Sequence, residues 1–261
     1  MTFVEPVRRV DTMRYGKPSH HYVDGNGARI PGVTTILSGG MPKPALVGWG
    51  IRTVAEYAID RWDELAGKPP SERLKELKGS PYADRDAAAN RGTEVHALAE
   101  QLVQGIEVDV PDALAGHVES YVRWLDDYQP EPVLVERTCY HLGYGWAGTF
   151  DSILRFPDGR LLLCDIKTSN GVYGETAYQL AAYANSTHYL DDAGPQPMPE
   201  VAGCAVIHVR ADGCDLFPVT VDDQVLLEMR YIARVALAAD RCKTYIGEAA
   251  KPSDFGGQEA A

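Results

Sequence analysis

The 261-residue sequence has few cysteines and no long apolar run. Its five cysteines form no Cys-x-x-Cys pair and are odd in number, which favours a reducing compartment over a disulfide framework. No stretch approaches the length of a membrane-spanning helix, and the first residues lack the apolar segment of a signal peptide. We therefore expect a cytoplasmic protein without a membrane partner.

An excess of basic charge is also lacking. The chain has 25 Lys and Arg against 37 Asp and Glu, a net charge of −12, which excludes a protein that coats nucleic acid through bulk positive charge. Residues 1–100 are nearly neutral, with 14 basic and 13 acidic side chains, so any contact with a phosphate backbone should be local and N-terminal. The candidate basic residues are Arg52, Arg73, Lys75, Lys78, Arg85 and Arg91. Trp49, Tyr57 and Trp62 either pack in the core or stack on bases.

Turn residues and hydrophobic periodicity predict the order of the elements. A hairpin is expected over 20–31, and an exposed helix over 69–80 that ends at a glycine. The segment 84–104 should break at Gly92 and continue as a helix that Thr93 caps and Gly105 closes. The other predictions are helices over 33–37, 45–62, 112–128, 175–190 and 222–246, strands within 133–168, a loop over 191–200 and a hairpin over 201–221.

These elements predict an α/β (α+β) fold with a central mixed β-sheet flanked by helices. No linker divides the chain, so we expect a single domain over 1–248. Within it, 20–130 is the mainly helical part, 131–221 is the sheet core and 222–248 is the C-terminal helix. The tail 249–261 is predicted to be disordered.

The turn Pro157-Asp158-Gly159 sets the register of one strand pair. Proline followed by Asp-Gly favours a three-residue hairpin loop with glycine in the left-handed position, so that Phe156 faces Arg160. In that register Asp151 lies directly across from Asp165, and Lys167 follows on the same face. A two-residue loop would instead send the carboxylates to opposite faces.

Two facing carboxylates repel each other and need a positive partner. The partner is either Lys167 alone, in a salt bridge, or a hard divalent cation bound by both acids. His96, which has Glu100 one helical turn later, could join the carboxylates as a nitrogen ligand in a mixture that suits Mn²⁺ and tolerates Mg²⁺. Gln179 and Tyr183 lie four residues apart, and hence on one face, in the next predicted helix.

In this order the motifs RGTEVH, GTFD, DIK and QLAAY resemble those of the PD-(D/E)xK nuclease superfamily, in particular its RecB-like exonuclease branch. The segment IPGVTTIL with Lys43, Leu46 and Trp49 is similar to phage-encoded members, so the resemblance covers roughly 20–220. The resemblance implies a restriction-endonuclease-like core and a location in the host cytoplasm if the chain is phage-encoded. The catalytic residues that it implies are Asp151, Asp165, Lys167, Gln179 and Tyr183, and the metal ligands are His96, Asp151, Asp165 and the carbonyl of Ile166.

The function expected from this resemblance is hydrolysis of DNA phosphodiester bonds with Mg²⁺ or Mn²⁺, by an exonuclease of recombination, repair or phage genome processing. DNA would be the partner, alongside recombination or replication proteins, and ring-forming relatives allow a homo-oligomer. Glu100 and Glu136 are candidates to support the metal site. No cysteine precedes residue 139, so no iron–sulfur cluster is expected, and no P-loop motor is present. Two alternatives stay open: a catalytically silent DNA-binding or assembly module on the same fold, and a metallohydrolase for small phosphate esters with a closed pocket.

Overall fold

The computed structural model describes residues 7–14, 17–250 and 254. The strands are β1 (Arg8–Arg14), β2 (Lys17–Val23), β3 (Arg29–Ile30), β4 (Glu131–His141), β5 (Trp146–Arg155), β6 (Leu161–Lys167), β7 (His188–Asp191), β8 (Gly194–Pro197), β9 (Gly203–Arg210) and β10 (Gly213–Val219). The α-helices are α1 (Val33–Gly40), α2 (Pro44–Asp60), α3 (Trp62–Ala66), α4 (Pro70–Val103), α5 (Ala115–Tyr128), α6 (Glu175–Ala184) and α7 (Asp223–Arg241). Most of the tail predicted to be disordered lies outside the described residues.

A seven-stranded mixed sheet with the order β10-β9-β6-β5-β4-β7-β8 forms the centre of the fold. Strands β6 and β9 run parallel, and the other neighbouring strands run antiparallel. Apolar side chains from α1, α6 and α7 cover one face, and those from α4 and α5 cover the other. The prediction of a central mixed sheet flanked by helices is therefore confirmed.

The first strands form a separate three-stranded sheet in the order β1-β2-β3. Its second turn is the predicted hairpin, in which Tyr22 faces Ile30 and the Asp24 carboxylate accepts the N–H groups of residues 26 and 28. Strand β1 was not predicted. An isolated bridge between Gly32 and Ala147 joins this sheet to the central one, and the buried Tyr22 packs in the same apolar cluster as Ala147.

The β5–β6 hairpin has the predicted register. Phe156 donates its N–H to the Arg160 carbonyl at 2.9 Å, and Ser152 faces Cys164 further along the ladder. Gly159 adopts a φ of 85°, the left-handed conformation that a three-residue loop requires and that glycine reaches without steric cost. The turn chemistry therefore fixed the register of this ribbon from the turn as far as the Ser152–Cys164 pair.

Helix α4 corrects two predictions at once, because residues 70–103 form one helix of 34 residues. It does not end at the predicted glycine stop, and it continues through Pro81. Proline has no N–H to donate to the carbonyl of Leu77 four residues earlier. The Ser80 hydroxyl donates to that carbonyl instead, at 3.0 Å, so the oxygen keeps a hydrogen-bond donor.

The predicted break at Gly92 is also wrong, and Thr93 is not a cap. The Thr93 hydroxyl donates to the Ala89 carbonyl from inside the helix. Gly92 meets a packing requirement: a Cβ atom at this position would lie 3.0 Å from the Thr168 hydroxyl, at the end of β6. The glycine thus lets α4 approach the strand that carries Lys167.

The predicted helix over 175–190 ends early, because α6 stops at Ala184. Residues 188–191 form β7, in which Tyr189 faces Cys139 of β4, and the predicted loop over 191–200 contains β8. Pairing with the edge of β4 satisfies backbone groups that a longer helix would have left without sheet partners. His188 also stacks on Tyr140, with 5.5 Å between ring centroids.

The remaining elements follow their predictions closely. Helix α5 follows a short 3₁₀ turn at Asp112–Leu114, strands β9 and β10 form the second hairpin, and α7 ends in a 3₁₀ turn at Cys242–Thr244. The Asp222 carboxylate caps α7 by accepting the Val225 N–H. Within the described part of the chain, no helix combines the length and apolar character needed to span a membrane.

Candidate active site

Three carboxylates lie side by side on adjacent strands of the central sheet. Glu136 on β4 is flanked by two residues that face Ser152 and Phe150, which places it beside Asp151 on β5. The next ladder ends at the pair of Ser152 with Cys164, and beyond it Asp151 Oδ2 accepts the N–H of Ile166, the residue after Asp165 on β6. The two acids are neighbours in a row of three, but their predicted common face is not observed. Asp165 bonds to Gln179 on α6 and Asp151 contacts His96 on α4, and these helices cover opposite faces of the sheet.

The backbone is irregular where this row crosses β4 and β5. Glu136 has a φ of 48°, a left-handed conformation that side chains other than glycine rarely adopt. On β5, Phe150 and Ile153 pack in the same core layer although they are three residues apart, so the alternation of faces reverses near Asp151. A residue in such a conformation costs about 1–3 kcal/mol, and this strain concentrates at functional sites.

Asp165 is almost fully buried and has polar partners on both oxygens. Its Oδ2 lies 2.5 Å from the Lys167 ammonium, and its Oδ1 accepts a hydrogen bond from Gln179 Nε2 at 2.9 Å. The other end of the Gln179 amide, Oε1, lies 3.4 Å from Lys167 Nζ. Gln179 therefore holds the lysine and the carboxylate together. Tyr183, one turn later on α6, is 3% exposed and lies below this group, with its hydroxyl 3.5 Å from Gln179 Nε2.

His96 and Asp151 meet on the other side of the row. His96 Nδ1 lies 3.5 Å from Asp151 Oδ2, and the same oxygen accepts the Ile166 N–H at 2.6 Å. A cavity of about 10 Å³ lies beside them, with Glu100 and Glu136 also in its wall. This volume holds about one water-sized species. The two glutamates predicted to support the site thus line the cavity itself.

Two acids of the row, Asp165 and Glu136, have pKa values raised mainly by burial. Burial raises the pKa of Asp165 to about 7, the neighbouring Asp151 adds to this rise, and Lys167 opposes it. Burial, followed by Asp151 and Glu100, raises the pKa of Glu136 to about 7 as well. Asp151 therefore makes ionisation of both Asp165 and Glu136 more costly.

The donor chemistry of this group fits a hard divalent cation. His96, Asp151 and Ile166 belong to the predicted ligand set, and all three line the one small cavity. A mixture of carboxylate oxygens and one imidazole suits Mn²⁺ or Mg²⁺. Among the described residues, no three His, Cys, Asp or Glu side chains already converge on one point. Asp165, which bonds to Lys167 and Gln179, would have to turn from these partners to share an ion with Asp151.

An open groove of about 710 Å³ adjoins the site. His96 and Lys167 lie in its wall, so the groove reaches both sides of the carboxylate row. Of the six basic residues proposed to guide a phosphate backbone, Arg85 and Arg91 line this groove. Arg85 also pairs with Asp86 at 3.0 Å. The other four basic residues, Arg52, Arg73, Lys75 and Lys78, are not part of its wall.

The loop after β6 contributes groove residues that the sequence did not indicate: Thr168, Ser169, Asn170 and Tyr173. Buried His208 on β9 holds this loop, because its Nε2 donates to the Ser169 carbonyl at 2.7 Å. Its Nδ1 in turn accepts from Arg210 Nη1 at 3.0 Å. The four loop residues could have been found from the sequence, because they follow directly after the strand that carries the Asp-x-Lys motif. The role of His208 could not, because it depends on the pairing of β9 with β6.

No protein-family model and no curated protein match this chain. Among solved structures, that of SSO0001 aligns with 80% of this chain and 75% of its own, at a TM-score of 0.33 and 14% identity. The structure of LHK-Exo, an alkaline exonuclease from Laribacter hongkongensis, aligns with 59% of this chain and 80% of its own, at a TM-score of 0.34 and 13% identity. Likenesses at this level do not assign the chain to a family.

Proposed function

We propose that this protein is a metal-dependent deoxyribonuclease that hydrolyses phosphodiester bonds and acts as an exonuclease. The observation that carries the proposal is the contact of buried Asp165 with Lys167 and Gln179, beside Asp151 and His96 at the wall of an open groove that also contains two arginines. An extended phosphate backbone fits such a groove better than a small ester does.

The residues of the site would have separate roles in the reaction. His96, Asp151, Asp165 and the Ile166 carbonyl would hold Mg²⁺ or Mn²⁺, which would polarise the phosphate and make an attacking water more acidic. Lys167 supplies a fixed positive charge beside the reacting phosphate and offsets the charge that develops in the transition state. Gln179 orients Lys167 through its Oε1 and Asp165 through its Nε2. Arg85 and Arg91 attract the backbone along the groove.

A cleavage assay tests the proposal directly. The purified protein is incubated with end-labelled single- and double-stranded DNA in Mg²⁺, in Mn²⁺ and in EDTA. We expect metal-dependent release of nucleotides, and at least about a 100-fold loss of rate in Asp165→Asn and in Lys167→Ala. Asp158→Asn is the matched control, because Asp158 lies in the exposed turn of the same hairpin and pairs with Arg160.

The two alternative functions give different results in this assay. A catalytically silent module would bind DNA without cutting any substrate in either metal. A metallohydrolase for small phosphate esters would cleave a nitrophenyl phosphate ester in preference to DNA. Two observations argue against this last function. The groove is open, and the cavity beside the acids holds only about 10 Å³. Such a volume is too small to enclose an organic ester.

A further inference from the structure

We infer that the groove selects unpaired nucleotides, whose base faces stack on Trp49 and Tyr173. This inference rests on the proposed function, because it names the form of DNA that the carboxylate site would receive. Both aromatic residues line the groove that also contains Arg91 and Lys167. Cationic groups for phosphates and aromatic rings for bases are the two components of sites that bind single strands.

The two rings come from different elements of the groove wall. Trp49 lies in the first half of α2, and Tyr173 lies in the loop between β6 and α6. The Tyr173 side chain is 59% exposed, so most of a large ring faces solvent beside the candidate active site. An aromatic ring left open in a basic groove provides a flat surface on which a base can stack.

An ion pair fixes these two elements to each other. Lys43, directly before α2, contacts Glu175, the first residue of α6, with 2.8 Å between Nζ and Oε1. The bond holds the end of α2 that carries Trp49 next to the loop that carries Tyr173. The groove therefore has two aromatic residues on linked supports, which reduces the ordering cost of binding a base between or beside them.

Duplex DNA cannot use these rings in the same way. Within a duplex each base face is covered by the neighbouring base pair, and only base edges are exposed in the grooves. A stacking ring therefore reaches a base only in a single strand or at a frayed end. Arg91 and Lys167 contact phosphates, which are present in both forms of DNA, so selectivity between them has to come from the two aromatic residues.

Binding in EDTA tests the inference without requiring cleavage. Fluorescence anisotropy measures the affinity of the protein for a labelled single-stranded oligodeoxynucleotide, the same strand with a run of abasic residues, and a blunt duplex. We expect Trp49→Ala and Tyr173→Ala each to weaken binding of the intact single strand by about 5- to 100-fold. Tyr173→Phe should bind like the wild type, because stacking does not require the hydroxyl.

Two comparisons separate stacking from a structural effect. Trp62→Ala is the matched control, since Trp62 is 68% exposed and does not line the groove, and it should keep wild-type affinity. The wild type should bind the abasic strand at least as weakly as either alanine variant binds the intact strand, and each variant should lose less affinity than the wild type when the bases are removed. Equal wild-type affinity for intact and abasic strands would overturn the inference, whatever the folding of the variants. Parallel cleavage assays in Mn²⁺ test the proposed function separately. Selective binding of single strands without cleavage would refute the nuclease function and leave the stacking inference standing.

Discussion

Replacing Asp165 by asparagine should stabilise the metal-free protein at pH 8. The carboxyl of Asp165 is 2% exposed, and burial beside Asp151 raises its pKa from 3.8 to about 7. The folded state thus holds this proton more tightly than the unfolded chain does. The stabilisation from the protonated carboxyl is complete below pH 3.8 and is lost as the pH rises through about 7. At pH 8 the folded protein carries a buried anion that asparagine would remove.

The structure also sets the size of this effect. The difference between a pKa of 3.8 and one of about 7 is equivalent to about 4 kcal/mol. This shift already contains the opposing effect of Lys167, so the loss of that ion pair is not a further cost, and asparagine keeps an oxygen for the Gln179 amide. The gain is therefore at most about 4 kcal/mol, or a Tm increase of up to about 8–16 °C for a chain of this size.

Thermal unfolding followed by circular dichroism in EDTA measures this gain at several pH values. The advantage of Asp165→Asn should be present at pH 8 and should disappear near pH 4. Asp60→Asn, an exposed position at the end of α2, should change stability by less than about 0.5 kcal/mol at either pH. A variant less stable than the wild type at pH 8, or an advantage of equal size at pH 4, would refute the electrostatic reasoning.

Three further changes should have measurable effects. Gly148→Ala should lower the free energy of unfolding, measured with urea, by about 1–3 kcal/mol, because its Cβ would lie 2.4 Å from the Tyr183 ring. Adding Tyr183→Ala to this variant should recover part of the loss. Losses that simply add in the double variant would contradict the clash. Glu136→Gly should stabilise the metal-free protein by about 1 kcal/mol at pH 8, since glycine adopts a φ of 48° without strain; unchanged urea midpoints would count against strain at this position. Mn²⁺ at 100 times its dissociation constant should stabilise the wild type by about 3 kcal/mol, and EDTA should reverse the rise in Tm; an equal rise in Asp165→Asn would exclude Asp165 as a ligand.

Local chemistry was sufficient to predict the register of the hairpin that carries part of the site. The Pro157-Asp158-Gly159 turn fixes the β5–β6 register, which holds from the turn as far as the Ser152–Cys164 pair. The predicted common face of Asp151 and Asp165 was not obtained, because the alternation of faces reverses near Asp151. The position of Glu136 could not be obtained in this way. It depends on the pairing of β4 with β5 and on a left-handed residue in the middle of a strand, which no sequence rule assigns to glutamate.

The main errors in the fold came from residues whose local preference was outweighed by their surroundings. Proline and glycine normally mark helix ends, and α4 contains Pro81 and Gly92. The Ser80 hydroxyl replaces the donor that proline lacks, and close contact with Thr168 explains the glycine. Neither reason can be read before the packing partners are known. The short β7 and β8 were missed for the same reason, since β7 pairs with the edge of β4.

The continuity of α4 couples access to the groove with the geometry of the carboxylate site. At 34 residues the helix is about 50 Å long. Arg85, Arg91 and His96 all lie on it, so the contacts proposed for a nucleic-acid backbone and the approach of the imidazole to Asp151 depend on one continuous helix. Had the helix broken at Gly92, the two arginines could have shifted without moving the histidine. Because the helix is continuous, we expect a movement of it to change the positions of the two arginines and the distance from His96 to Asp151 together.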